Sequence, residues 1–300
     1  MPTAHKDHST PILGLVHLTD SAKKFARAIL PTRFWTELRL LRLRYTMSSY
    51  KHRRIRHSYG GYQLELELID PMGADWYDHD WPELPEIAFL KRHRLTAGAR
   101  VFDVGAHQCV VALMLAKIVG PDGLVLAIEA NPQNCMAGER NLKLNGADNC
   151  RLLHAAGSSC SGTLQFNRTI NGQVDDGTGE WGQMTVNAVS IDDLSAAHGV
   201  PDVLFIDVEG FECKVLEGAR KTLASQPDCF VEVHVGIGLE KFGGSVERLL
   251  ELFPAGYQFY AGTEKKAFSP LRKGDEVLMQ RFFLLAIHSD LAAGNGKKHA

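Results

Sequence analysis

The chain has 300 residues, 45% of them apolar, and a formal net charge of −2, which suits one large globular domain, or a domain with an extension, built on a sizeable core. No stretch of about 18 uncharged apolar residues occurs, which excludes a membrane-spanning helix. The charge is unevenly placed: residues 1–57 hold twelve Lys and Arg against three Asp and Glu, and the rest holds 21 against 32, so a basic arm at +9 precedes an acidic body at −11.

Residues 1–20 are polar and expected to be loosely ordered, and MPTAHKDHST lacks the basic-then-apolar order of a secretory signal. Residues 21–45 have helical periodicity, with Pro31 breaking or starting a helix. Trp35, Leu38, Leu41 and Tyr45 form one apolar stripe, with Arg33, Arg39, Arg42 and Arg44 largely off it. Such a helix either packs on the body with solvated arginines or lies on an anionic membrane surface. The KHRRIR run at 51–56 reads as a solvated cluster, and nucleic acid is not expected as a partner. Residues 59–69 alternate like a strand or hairpin. Residues 70–85 read as a loop able to fold over a ligand cleft, supplying Asp75, Trp76, Tyr77 and Trp81, and residues 84–93 as a helix leading into the core.

The rest of the chain is organised around residues 101–131. VFDV is a strand, Gly105-Ala106 a tight turn, 110–119 a buried helix, GPDG a second turn and 124–128 a second strand, with Glu129 at its carboxyl end. This is a βαβ unit of a doubly wound sheet, whose ligands bind outside the carboxyl ends of the strands. Asn131-Pro132 starts a helix that Gly146 ends. Strands are expected at 151–156, 162–166, 185–190, 203–208 and 229–235, then at 257–261 and 281–287 as an antiparallel pair. Helices are expected at 191–198, capped by Asp192, at 211–225 and at 245–253. Residues 167–184 read as a surface loop or substrate lid. The domain plan is a basic extension over 1–58, a hairpin, lid and lead-in helix over 59–94, a ligand-binding domain over 95–290 and a polar tail over 291–300. Cys109, Cys135, Cys150, Cys160, Cys213 and Cys229 form no CxxC pair and read as reduced, packed thiols of an intracellular, cytoplasmic protein.

The turn narrows the ligand. A dinucleotide site wants G-x-G-x-x-G so that backbone can approach a pyrophosphate. Here Gly105 stands alone and Cys109 occupies the place of a later glycine, which disfavours a nicotinamide enzyme. The turn suits a ligand with an uncharged ribose linkage, such as S-adenosylmethionine, whose ribose hydroxyls Glu129 could accept. Asp207, Glu209, Glu232 and His234 end the fourth and fifth core strands on the cleft side and are candidate bases for a hydroxyl acceptor. Carboxylates and imidazole at strand ends are too common for the sequence to assign a metal, and none is assigned.

Seven stretches carry a family resemblance: VFDVGA at 101–106, IEANPQN at 128–134, NLKLNGADN at 141–149, AAGSSCSGTLQF at 155–166, VSIDDL at 189–194, LFIDVEGFECKVLEGARKTL at 204–223 and VEVH at 231–234. In that order they resemble the FkbM family of S-adenosylmethionine-dependent methyltransferases. His107 and Cys109 stand where the family usually has Asn and Gly, and Phe205 where it often has Lys. The resemblance implies a Rossmann-like class I methyltransferase fold, a seven-stranded mostly parallel sheet with helices on both faces, here with an N-terminal helical extension. It further implies S-adenosylmethionine held by Asp103, Gly105, Ala106, His107, Glu129, Asn131, Ala156 and Asp207, with Asp207, Glu209 and His234 in catalytic places. The expected reaction is O-methylation of a sugar or natural-product hydroxyl on a small-molecule, glycan or lipid-linked acceptor, with peripheral membrane contact through the basic arm. The rival reading is a non-catalytic cofactor-binding or interaction protein that keeps the fold, motivated by His107 and Cys109.

Overall fold

The computed structural model describes residues 32–168, 173–175, 182–272 and 274–288. The loosely ordered start, the polar tail and most of the 167–184 loop lie outside those residues. Among the described residues, no helix is long and apolar enough to cross a membrane.

The extension forms a helix, Thr32–Ser49. Its exposed face is headed by Phe34, with Leu38, Leu41 and Tyr45 in line behind it, while Trp35 is half-buried off that face. The basic run beyond it is part of a hairpin, β1 (Arg53–Tyr59) and β2 (Tyr62–Leu68). Part of its charge is matched within the chain: Arg53 pairs with Asp78, Arg54 lies 3.8 Å from Glu65 and His52 3.5 Å from Glu67. Leu64, Leu66 and Leu68 alternate inward and are fully buried. The free edge of β2 is covered by helix Pro132–Leu144 and its cap: Glu67 N donates to Asn141 Oδ1 at 2.8 Å and Glu65 N to Asn145 Oδ1 at 3.0 Å. Pairing those edge amides with side chains removes an aggregation-prone template. The expected loop at 70–85 contains a helix, Pro71–Tyr77, capped by Asp70, and a second helix spans Pro85–Leu90.

The central sheet is built from β3 (Arg100–Val104), β4 (Leu124–Glu129), β5 (Cys150–His154), β9 (Val203–Ile206) and β10 (Asp228–Val233), all parallel. It continues antiparallel through β13 (Phe282–His288), β11 (Tyr257–Thr263) and β12 (Lys266–Pro270). Eight strands result, in the order β12-β11-β13-β10-β9-β3-β4-β5, rather than seven. The extra strand is β12, whose only half-buried residue is Phe268, so no alternation marks it in the sequence. Successive residues point to opposite faces, which divides the apolar strands between two cores. Val101, Val125 and Val203 pack towards helix Val110–Val119 and the hairpin. Phe102, Leu126 and Leu204 pack towards helices Ile191–His198, Glu212–Glu217 and Val246–Glu251. Burial on both faces explains the unbroken apolar runs.

Three expected elements differ. The strand at 151–156 ends at His154, and Ala156–Ser158 (β6) joins β7 (Gly162–Asn167) and β8 (Gln183–Ser190) in a separate small sheet, order β6-β8-β7. The helix at 211–225 breaks into Glu212–Glu217 and Arg220–Ala224 at Gly218, which lies so close to Ser158 that a Cβ there would come 2.1 Å from the Ser158 carbonyl oxygen. The cap of helix Ile191–His198 is Ser190; Asp192 instead accepts from Lys221 N and Thr222 N.

Candidate active site

The turn after β3 runs through left-handed backbone at Gly105 (φ +93°), His107 (φ 48°) and Cys109 (φ 63°). Two of these are not glycine, and the left-handed region costs an L-residue about 1–2 kcal/mol, so the turn is strained at the ligand side of the sheet. Gly105 N and Ala106 N donate to Ile128 O at 2.8 and 3.0 Å, which ties the turn to β4. A Cβ on Gly105 would lie 1.7 Å from the Asp207 carbonyl oxygen, so the end of β9 presses directly on the turn. Cys109 takes the left-handed cap position of helix Val110–Val119 where a glycine is expected. Its thiol is buried on the far side of the turn from the ligand; the space it fills lies over Gly138, where a Cβ would come within 2.7 Å of Cys109 Sγ. The thiol that motivated a non-catalytic reading therefore leaves the ligand side of the turn open.

Glu129, at the carboxyl end of β4, accepts from His107 N at Oε2 (2.8 Å) and from Asn131 N at Oε1 (2.7 Å). Burial pushes its carboxyl up to about 7, against the pull of those amides. Each oxygen keeps a lone pair for a further donor. Asp103 is buried, its Oδ2 has no partner, and burial with the nearby Glu129 charge pushes it to about 7. Burial drives His107 down to about 3, so its imidazole is neutral. Tyr77, whose phenol is pushed well above its usual value by burial, shares a hydrogen bond with His107 Nδ1 at 2.6 Å. With Tyr77 as the donor the imidazole proton sits on Nε2, which has no hydrogen-bond partner. Trp76 lies 5.0 Å from the same ring, and Gln108 Nε2 donates to Asp70 at 2.7 Å. Helix Pro71–Tyr77 is thereby strapped onto the turn. Asp75, expected to face the cleft, is exposed. Asn131, expected beside the cofactor, instead caps helix Pro132–Leu144 through Gln133 N and Asn134 N and does not line the cavity.

The second cluster sits at the ends of β9 and β10. The His234 side chain is 3% exposed; its Nδ1 is 2.6 Å from Glu212 Oε1. Its Nε2 faces Glu209 Oε2 at 3.5 Å, Glu232 Oε1 at 3.6 Å and Asp207 Oδ1 at 3.7 Å. Burial lowers the His234 pKa, but the Glu212 hydrogen bond and the surrounding carboxylates outweigh it and raise it to about 10. Imidazolium is then the resting form, a poor state for a general base. Asp207 is pushed well above its usual range by burial and by Glu232 and Glu209. Glu209 itself has left-handed backbone, φ 54°. Arg281 Nη1 donates to Glu232 at 2.6 Å, and Arg281 also pairs with Glu264.

One cavity of about 750 Å³ joins the two clusters. It reaches from Asp103, Gly105, Ala106, His107, Glu129 and Ala156 to Asp207, Glu209, Glu232 and Arg281, with Trp76, Tyr77, Trp81 and Glu86 as a front wall. His234 is not in the wall but lies just behind Asp207 and Glu232. The residues fit a cofactor with a ribose and an amino-acid end: a carboxylate with spare lone pairs at Glu129, and two buried polar atoms without partners at Asp103 Oδ2 and His107 Nε2. Sequence reasoning missed Glu212, Glu86, Glu264 and Arg281. Glu212 could have been found, since it lies inside the IDVEGFE block. Arg281 comes after a polar, turn-rich stretch and carries no signal.

The Methyltransferase FkbM domain model matches residues 103–259, slightly more than half of the chain. No curated protein matches. The chain is similar to several solved structures, all distantly. They include a methyltransferase FkbM from Methylobacillus flagellatus (15% identity, 63% of this chain and 43% of that one, TM-score 0.43). Others are a precorrin-6y C5,15-methyltransferase from Geobacter metallireducens (18%, 70% and 89%, TM-score 0.42) and a SAM-dependent methyltransferase from Aquifex aeolicus (17%, 73% and 94%, TM-score 0.41). The match therefore spans less than half of the Methylobacillus chain.

Proposed function

We propose that this chain, which belongs to the FkbM methyltransferase domain family, moves a methyl group from S-adenosylmethionine to a hydroxyl oxygen of a small-molecule, sugar or lipid-linked acceptor. The observation that carries the reading is the single cavity that joins the Asp103–Glu129 cradle to the carboxylates at the ends of β9 and β10. Its volume falls within the range of about 300–1,000 Å³ usual for ligand sites. When bound, the cofactor supplies an already electrophilic methyl group, so the protein's work is alignment and proton removal. Glu129 accepts the ribose hydroxyls. Asp103 Oδ2 takes the ammonium of the amino-acid end, and His107 Nε2, protonated when Tyr77 donates to Nδ1, is the donor for its carboxylate. At the other end Glu209 takes the acceptor's hydroxyl proton, with Asp207 beside it. His234, held charged behind them, steadies their negative charge. Trp81, Phe205, Phe230 and Phe283 give the acceptor an apolar surface.

Calorimetry with S-adenosylhomocysteine tests the cofactor half: one site per chain is expected, weakened at least tenfold in Glu129→Ala. A labelled-methyl screen against glycans, lipids and small metabolites tests the acceptor half, and label on carbon or nitrogen rather than oxygen would refute it.

The helix Thr32–Ser49 is proposed to rest on an anionic bilayer. Phe34, Leu38, Leu41 and Tyr45 are 48%, 41%, 62% and 51% exposed and recur at helical spacing. Exposed Arg42 and Arg44 flank them on either side, where their cations could meet anionic headgroups. Co-sedimentation with phosphatidylglycerol vesicles but not with phosphatidylcholine vesicles, lost in Leu38→Glu with Leu41→Glu, is the expected result; equal recovery of wild type and variant would count against it.

A further inference from the structure

Three of the cavity's functional side chains have an arrangement that proton transfer does not account for. The ligand atoms of Asp207, Glu232 and His234 all lie within 4.8 Å of one another. His234 is almost completely buried, and its Nε2 points into a ring of carboxylate oxygens 3.5–3.7 Å away, too far for good hydrogen bonds. Asp207 Oδ1, one of those oxygens, is itself buried without a partner. Asp207, Glu212 and Glu232 converge on one imidazole, His234, and Glu232 also pairs with Arg281. Carboxylates brought together out of water repel unless a cation sits among them.

We infer that Asp207, Glu232 and His234 hold a divalent cation of the magnesium or manganese type at the acceptor end of the cavity. Two carboxylates with one imidazole form an oxygen-rich donor set of the kind these ions take. Ligand atoms on neighbouring coordination positions are about 3 Å apart for bonds of about 2.1 Å, so a small inward closure of the present ring makes the cage. Glu212 completes the design from behind. By accepting from Nδ1 it holds the ring so that Nε2, its proton released as the cation binds, presents a lone pair, the carboxylate–histidine support typical of metal-bound imidazoles. Arg281 does the same for Glu232 by holding its carboxylate in place. Asp207 and Glu232 line the cavity, so the remaining coordination positions open onto it. Resting on the methyl-transfer reading, the cation's role is to bind the acceptor's hydroxyl oxygen and ease loss of its proton to Glu209, which stands beside the ligand set. A hydroxyl flanked by a second oxygen, as in a vicinal diol or a hydroxy acid, would chelate and be favoured over an isolated alcohol.

The test is titration of the metal-free full-length chain with Mn²⁺, monitored by electron paramagnetic resonance of free Mn²⁺. One ion per chain is expected, with affinity at least tenfold lower in Glu232→Gln and in His234→Gln. In the Mn²⁺-loaded wild type, electron spin-echo modulation from one imidazole nitrogen is expected, a measurement that needs no variant to fold. No binding by the wild type, or binding without nitrogen modulation and unaffected by both substitutions, overturns the inference. Calorimetry with S-adenosylhomocysteine on the same preparation separates the two readings. Cofactor binding without Mn²⁺ binding removes the cation alone, and Mn²⁺ binding without cofactor binding removes the methyl-transfer reading alone.

Discussion

Replacing Gly105 with alanine is expected to destabilise the protein by about 3–5 kcal/mol, and the structure says where that energy is lost. The φ of +93° alone costs an alanine about 1–2 kcal/mol. The new Cβ would also lie 1.7 Å from Asp207 O and 2.8 Å from Asp207 C, backbone atoms that no side-chain rotation can clear. Either the turn or the end of β9 must move. Movement strains Gly105 N→Ile128 O, Ala106 N→Ile128 O and Asp207 N→Val104 O, each worth about 1 kcal/mol net. Gly98 supplies the control. It has φ +81° but nothing within 4 Å of its missing Cβ, so Gly98→Ala carries only the conformational part, about 1–2 kcal/mol. Urea unfolding monitored by circular dichroism gives both values, and an unchanged m-value makes them comparable. Because Asp207 O is the contact, S-adenosylhomocysteine affinity should also fall in Gly105→Ala below its transition and stay unchanged in Gly98→Ala. Two variants within 1 kcal/mol of each other (about fivefold in the folding constant) would refute the claim that β9 presses on the turn.

Three further outcomes are expected. Glu129, raised from 4.5 to about 7 by burial, stabilises the ligand-free protein fully below its unfolded value and withdraws roughly 3 kcal/mol as pH rises through 7. Glu129→Gln should therefore flatten the decline in urea midpoint between pH 4.5 and pH 8, while weakening S-adenosylhomocysteine binding; an unchanged slope would mean the carboxyl titrates normally. Cys109→Gly relieves left-handed strain of about 1 kcal/mol but empties the space over Gly138, so cofactor affinity by calorimetry should stay the same or improve, and a clear loss would show that the thiol supports the ligand side. Arg281→Gln removes the guanidinium bonded to buried Glu232 and leaves it only the His234 ring at 3.6 Å, a change that typically costs about 3–5 kcal/mol for a buried pair and less here because Arg281 is partly exposed; steady-state kinetics should show a raised KM for the acceptor with cofactor affinity kept.

The parallel half of the sheet was legible because strands buried on both faces leave unbroken apolar runs, and helix Val110–Val119 matched its expected bounds. Glu129 was legible because a single acid at the end of a buried strand has only the cleft to face. The rest depended on long-range geometry. The eighth strand, β12, has an exposed face on both sides and so no period to read. Arg281 belongs to the site only because β13 runs antiparallel beside β10, which brings residue 281 next to Glu232. Asn131 looked like a ligand contact, but a side chain just before Pro132 at a helix start is already committed to the free amides of the first turn. The orientation of the Cys109 thiol could not be foreseen, since the left-handed cap geometry sends the side chain behind the turn. For the extension helix, a one-residue rotation decided which apolar side chains form the exposed face.

The straps between helix Pro71–Tyr77 and the cofactor turn bear on how acceptor choice can change. The family match begins at residue 103 and ends at residue 259. Trp76, Trp81 and Glu86 in the cavity's front wall come before it, and Glu264, Lys265, Arg281 and Phe283 come after it. The matched span thus holds the proposed cofactor cradle, while much of the surface an acceptor would meet comes from segments outside that span. A graft of the segment from residue 53 to residue 90 between relatives should carry acceptor preference with it, provided the two anchoring bonds, Tyr77 to His107 and Asp70 to Gln108, travel as a set.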